Sequence, residues 1–166
     1  MMRRIAFAPL LLMIAACGLH PLYGGGTRSP VAGLLRSVEV APIAGQQGWL
    51  VRSKLVDRLG EAGSAQPQYR LDVTLDDNIT SYGLRADRAA TQERRTLRAR
   101  YQLVDEATGT VVLDETAGSD ASIDVVSSDY ATVAAEQTAL ENLSGIVADQ
   151  IVARLAIYAS RTTHRP

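Results

Sequence analysis

The chain has 166 residues, 17 basic and 18 acidic side chains, and a formal net charge of −1. That balance excludes the strongly basic surface expected of a general nucleic-acid binder. One cysteine excludes an intramolecular disulfide, so the fold must be stable without one.

The first stretch, MMRRIAFAPLLLMIAAC, has the order of a secretory signal. Arg3 and Arg4 form a short positive region, and Ile5 to Ile14 is apolar but too short to span a bilayer. Ala15 and Ala16 are small enough for a signal peptidase pocket. Cys17 follows at once, and Ile14-Ala15-Ala16-Cys17 resembles a lipobox, with Ile where Leu is usual. A buried or odd free cysteine would not explain this order of arginines, apolar run, alanines and thiol. Residues 1–16 are therefore expected to be removed, and Cys17 to carry lipid as a thioether. Acyl chains contribute about 0.8 kcal/mol per buried CH₂, so several chains on one residue anchor it durably. Gly18, in place of the Asp common at the inner membrane, suggests an outer-membrane address. Processing leaves about 150 residues with a charge near −3, enough for one domain. No second apolar run looks long enough to cross a membrane, so a soluble, tethered domain is expected.

Residues 17–35, rich in Gly, Pro and Ser, suggest an irregular tether. Ser37 to Ile43 alternates as a short strand that Pro42 ends. Trp49 to Leu59 is helical, with Val51, Leu55 and Leu59 on one stripe and Gly60 and Gly63 as stops. Tyr69 to Asp76 alternates strictly, with Tyr69, Leu71, Val73 and Leu75 to one side. Thr96 to Asp105 repeats the pattern through Leu97, Ala99, Tyr101 and Leu103. Glu106 to Gly109 is a hairpin turn, Gly109 taking the positive φ. Val111 to Val125 is the return strand, with a break expected near Gly118. Ser128 or Asp129 caps a last helix to about Ala159, striped by Leu140, Leu143, Val147, Ile151 and Leu155. The expected fold is α+β, a two-layer sandwich in the order β-α-β-β-β-α. One four-stranded, mainly antiparallel sheet carries both helices on one face. The domain is expected over residues 36–160, with 161–166 as a tail.

The sequence presents no metal-ligand spacing, phosphate-binding glycine loop or dinucleotide fingerprint. His20 and His164 stand beside no candidate nucleophile. Acidic pairs such as Asp76-Asp77 and Asp105-Glu106 place neighbours on opposite strand faces, a poor arrangement for shared carboxylate chemistry. An enzyme is not expected, nor a cofactor beyond the covalent lipid on Cys17.

One charge cluster stands out. GLRADRAATQERRTLRAR carries Arg85, Arg88, Arg94, Arg95, Arg98 and Arg100 against Asp87 and Glu93. Arg98 and Arg100 are explained by cross-strand pairing with Asp72 and Asp76. Arg94 and Arg95, expected to precede the strand, are not. With Arg85 and Arg88 they are candidates for binding phosphate through paired, charge-assisted hydrogen bonds.

CGLHPLYG (Cys17 to Gly24) resembles the mature start of alphaproteobacterial members of the LptE family. YQLVDEATGTVVL (Tyr101 to Leu113) is similar to that family's strand-turn-strand. Asp129-Tyr130-Ala131, Glu136-Gln137, Ile151 and Leu155-Ala156-Ile157-Tyr158 resemble its last helix. His20 departs from the apolar, aromatic or basic residue usual in the family. The resemblance implies an outer-membrane lipoprotein, lipid-anchored on the periplasmic side. Such a protein would plug the LptD barrel, aid its assembly, and help insert lipopolysaccharide (LPS) at the cell surface. Its partners would be LptD, LPS and the membrane, not nucleic acid. Competing readings are a pilotin or assembly factor for another envelope machine, a periplasmic carrier of an apolar ligand, and an enzyme. The carrier would need aromatic lining that one Phe and one Trp scarcely supply.

Overall fold

The structure, a computed structural model, describes residues 30–60, 67–84 and 90–163. The signal, Cys17, His20, Arg85, Arg88 and His164 lie outside the described residues.

The elements run α1 (Pro30–Arg36), β1 (Val38–Val40), α2 (Gly45–Leu59), β2 (Tyr69–Leu84), β3 (Ala90–Asp105), β4 (Val111–Asp124) and α3 (Asp129–Thr163). The sheet order is β1-β2-β3-β4. β1 lies parallel to β2, and the other pairs are antiparallel. This is the expected α+β sandwich with one additional helix.

That helix, α1, occupies Pro30–Arg36, within the stretch expected to be irregular tether. Pro30 suits a first helical position, where its missing N–H leaves no bond unmade. Val31, Leu34 and Leu35 then fall at helical spacing and pack onto the core. β1 is short because the chain leaves the sheet after Ala41, whose N–H donates to Leu71 C=O at 3.1 Å. Pro42 cannot donate further.

Two strands run well past their alternating cores. β2 continues to Leu84 and β3 begins at Ala90, so Asp77 to Tyr82 pair with Gln92 to Leu97. β4 passes Gly118 without a break. The turn after β3 forms as expected. Asp105 Oδ1 accepts from the N–H groups of Ala107 and Thr108 at 2.9 and 3.0 Å, and Gly109 has φ +68°.

The odd-numbered side chains of β2, β3 and β4 face the helices. Leu71, Leu97, Tyr101 and Leu103 are fully buried there against Val51 and Leu55 of α2 and Leu155 of α3. Burying such side chains contributes about 1.5–3 kcal/mol each. Ala148, Ala156 and Ala159 on α3 are also fully buried in the helical layer. Gly48 is needed at the start of α2, because a Cβ there would sit 2.5 Å from Ile43 C=O.

α3 is capped by Ser128, whose Oγ accepts from Ala131 N–H at 3.4 Å. By length and composition Asp129–Thr162 could cross a membrane, against the expectation that no such run existed. Half of its most apolar window is buried inside the domain, however, which makes it the central core helix.

Candidate functional site

Most even-numbered side chains of β2, β3 and β4 form a face with no helical cover. Arg70, Thr74 and Asp76 of β2 lie beside Arg98 and Arg100 of β3 and Thr116 and Asp120 of β4. The twisted sheet makes this face a shallow trough of about 600 Å³ floored at Gly118.

The arginine cluster does not sit in one loop. Arg94 and Arg95 are inside β3, opposite Thr80 and Ile79, so their side chains point to opposite faces. This corrects the expectation that both precede the strand.

Arg95 shares the parity of Leu97 and Ala99 and turns inward. Its Nε and Nη2 donate to the two Asp77 carboxylate oxygens at 2.9 and 2.6 Å, and Nη1 donates to Glu136 C=O at 2.9 Å. Both side chains of the pair are only 12% exposed. The hydrogen bonds to Asp77 hold the guanidinium pKa above its ordinary value against the opposing effect of burial. Arg95 thus ties β2, β3 and the first turns of α3 together. Three of its five N–H donors are thereby committed inside the domain.

Arg94 faces the open side. It lies 3.7 Å from Asp120, and its guanidinium carbon stands 5.6 Å from the centroid of the Tyr82 ring. Tyr82 Oη reaches across to Ser122 Oγ at 3.3 Å. With its side chain 55% exposed and its ion pair loose, Arg94 can still accept an anionic partner.

The next two arginines do not pair as expected. Arg100 forms a fork with Asp114 of β4 at 3.2 and 2.9 Å, rather than with Asp72 or Asp76. Gln102 Nε2 donates to the same carboxylate at 2.9 Å. The reason is register: Asp114 stands opposite Gln102 and diagonal to Arg100, within reach of a long side chain. Asp72 instead accepts from its own strand neighbour Arg70 at 3.1 Å. Arg98 has no ion-pair partner within 4.0 Å among the described residues.

A second ion pair joins the helices. Arg58 of α2 holds Asp149 of α3, with Nη2 donating to Oδ2 at 3.2 Å. Hydrogen bonding from Arg58 lowers the Asp149 pKa below 3.8, and hydrogen bonding from Arg100, then Gln102, does the same for Asp114. A depressed folded-state pKa gives stability that is complete above the unfolded value and lost as pH falls through the folded one. The melting temperature should therefore hold from neutral pH to about pH 4 and then fall. Arg58→Ala and Arg100→Ala should each lower the neutral-pH plateau and shrink the acid-limb fall. A pH series of thermal melts checks this, and an acid limb unaltered in both variants would contradict it.

The same end of the molecule exposes apolar side chains: Ile79 and Tyr82 on β2, Val126 after β4, and Tyr130 and Val133 on the first turns of α3. Tyr130 is 85% exposed. The site is thus a cation on a polar sheet face beside an apolar tip. Among the described residues no group of three or more His, Cys, Asp or Glu side chains is placed to hold a metal ion. Tyr82 and the apolar tip were not singled out from the sequence, and Asp77 was read only as half of the acidic pair with Asp76, not as the partner of Arg95. The signal for Asp77 was its parity with Leu71, Val73 and Leu75.

A family model described as LptE, Lipopolysaccharide-assembly, matches residues 35–155. Among solved structures, a candidate lipoprotein from Caulobacter crescentus CB15 superposes with TM-score 0.63 at 25% identity, covering 78% of this chain and 96% of that one. Rare lipoprotein B from Shewanella oneidensis gives TM-score 0.60 at 10% identity, covering 76% and 98%. An uncharacterized lipoprotein B from Nitrosomonas europaea gives 0.55 at 14% identity, covering 75% and 88%. The last two likenesses concern the fold. Comparison with curated proteins gives no match.

Proposed function

This chain belongs to the LptE family of lipopolysaccharide assembly, and from that premise we propose that it plugs and helps assemble the LptD barrel in the outer membrane. The family is one of lipopolysaccharide assembly, which supports reading the chain as an envelope assembly lipoprotein rather than an enzyme. The observation that carries the finer reading is the uncovered sheet face. A barrel lumen is polar, and a plug must present polar surface to it. Here one whole side of the sheet does so, with Arg70, Asp76, Arg98 and Asp120 directed outward. Lipid on Cys17 would hold the domain at the periplasmic side of the membrane. The rival role, as pilotin or assembly factor for a different machine, is separated by which protein co-purifies.

Contact with LPS is assigned to Arg94, beside the apolar tip that suits acyl chains. Arg85 and Arg88, expected from the sequence, remain candidates outside the described residues, whereas Arg95 is held by Asp77. Arg94→Glu should weaken LPS binding to the full chain about tenfold in low salt, and the difference should shrink as salt screens the charge. Titration of purified LPS at two ionic strengths tests this. Equal affinities for both proteins in low salt would rule out a phosphate contact at Arg94.

A further inference from the structure

The sheet has two outer edges at its ends and a third open stretch on β2 where β1 stops. The first two are each met at one point by a helix side chain. On β4, Gly118 N–H donates to Gln150 Oε1 at 3.0 Å and Gly118 C=O accepts from Gln150 Nε2 at 3.3 Å, so a helix side chain imitates a neighbouring strand. Arg154 of α3 reinforces this edge through Glu115 at 3.2 Å. On β1, Val40 C=O accepts from Arg52 Nε at 3.2 Å.

The third stretch is bare. Tyr69 N–H and Leu71 C=O point toward the β1 side, bonding Ser37 and Ala41. A strand repeats every two residues, so Leu75, Asp77, Ile79 and Ser81 direct their N–H and C=O groups to that side too. β1 ends at Val40, opposite Leu71, so no strand lies beside them among the described residues. The bare run is about 20 Å long, the length of an ordinary strand. Beyond it, Gly83 has φ +73° and interrupts the regular extended backbone shortly before β2 ends at Leu84. Proteins generally blunt such an edge, because it templates pairing with another chain. Here the β4 and β1 edges each carry one such helix side-chain contact, at Gly118 and at Val40, and the Leu75 to Ser81 stretch carries none among the described residues.

We propose that the β2 edge from Leu75 to Ser81 receives an added strand, an extended loop or terminal segment of the barrel partner. This rests on the barrel reading above. A closed barrel wall has no free edge to offer, so the segment must come from outside the wall's hydrogen-bonded strands. Its chemistry follows from the row it would join. Asp76 is exposed and makes no ion pair among the described residues, although Arg98 stands opposite it on β3, so a basic side chain on the added strand fits beside it on the other flank. Ile79, 40% exposed on the helix side near α3, calls for an apolar or β-branched neighbour. A second copy of this chain fits less well. Its own edge segment, Leu75 to Ser81, contains no basic side chain to set beside Asp76.

Amide hydrogen exchange on the full chain, free and in complex with the barrel protein, tests the proposal. In the free chain Asp77, Ile79 and Ser81 should exchange fast, while Asn78 and Thr80, bonded to β3, exchange slowly. In the complex all five should be slow. Ile79→Pro, which removes one edge donor and spares the β2–β3 ladder, should weaken capture about tenfold. Fast exchange at Asp77 and Ile79 within an intact complex would overturn strand addition and leave the barrel reading standing. Failure to capture any barrel would overturn both. Concentration-dependent protection in the free chain would show a second copy on the edge and overturn the proposed occupant. If Ile79→Pro also loses protection at Asn78 and Thr80, the wild-type exchange pattern decides alone.

Discussion

Cys17→Ala is expected to abolish fatty-acid labelling and leave an unprocessed precursor, because Cys17 is the only cysteine in the chain and the lipobox-like run before it points to no other acceptor. Each buried CH₂ contributes about 0.8 kcal/mol to membrane attachment, so losing several acyl chains removes an effectively permanent anchor. The expected phenotype is failure of targeting and assembly rather than failure of folding. Among the described residues the core is built from residues 31 to 159, all of which follow Cys17 in the sequence. Labelled fatty acid followed by fractionation measures the first part, and thermal melting of the domain without its signal measures the second. Undiminished labelling of Cys17→Ala would contradict the anchor. Once the complex has formed, protein contacts are expected to hold the domain even where lipid is removed.

Asp77→Ala is expected to have the largest effect on stability of any polar substitution in the domain. It strands Arg95, whose side chain is 12% exposed, with one remaining hydrogen bond to Glu136 C=O. Breaking one side of a buried pair costs about 3–5 kcal/mol in full burial, and the partial exposure here sets the expectation at about 2–3 kcal/mol. Arg95→Ala should cost a similar amount. The double replacement by Leu should recover much of the loss, since it leaves no unpaired charge and fills the volume. Denaturant unfolding of the three variants forms the test. A double variant as unstable as the sum of the singles would mean that the two residues act separately.

The fold was legible wherever one sheet face was apolar. Leu71, Val73 and Leu75, then Leu97, Ala99, Tyr101 and Leu103, announce strands by alternation, and the stripe from Leu140 to Leu155 announces the long helix. The extensions were not legible, because DNITSYGL and ATQERR carry no apolar alternation of their own. They become strands by pairing with each other across the β2–β3 ladder, an interaction no local window contains. α1 was masked by Pro30 and Gly33, residues that also mark loops.

The site divided along the same line. The arginine cluster was visible as composition, but its chemistry depends on parity. Once Arg95 is inside the strand, the two-residue period puts it with the core and against Asp77, and puts Arg94 on the open face. Arg100 was expected to pair, and does, but with Asp114 on the far neighbour, because register decides which diagonal is short. The open β2 edge could not be foreseen, since it is defined by where a different strand stops.

The central claim, that this lipoprotein works inside a barrel, is tested most directly by affinity purification of the full, lipidated chain from detergent-solubilised outer membrane. The account predicts a single large β-barrel protein, LptD, recovered in near-equal amount with the chain. Recovery of a different envelope machine, or of the chain alone, would contradict it.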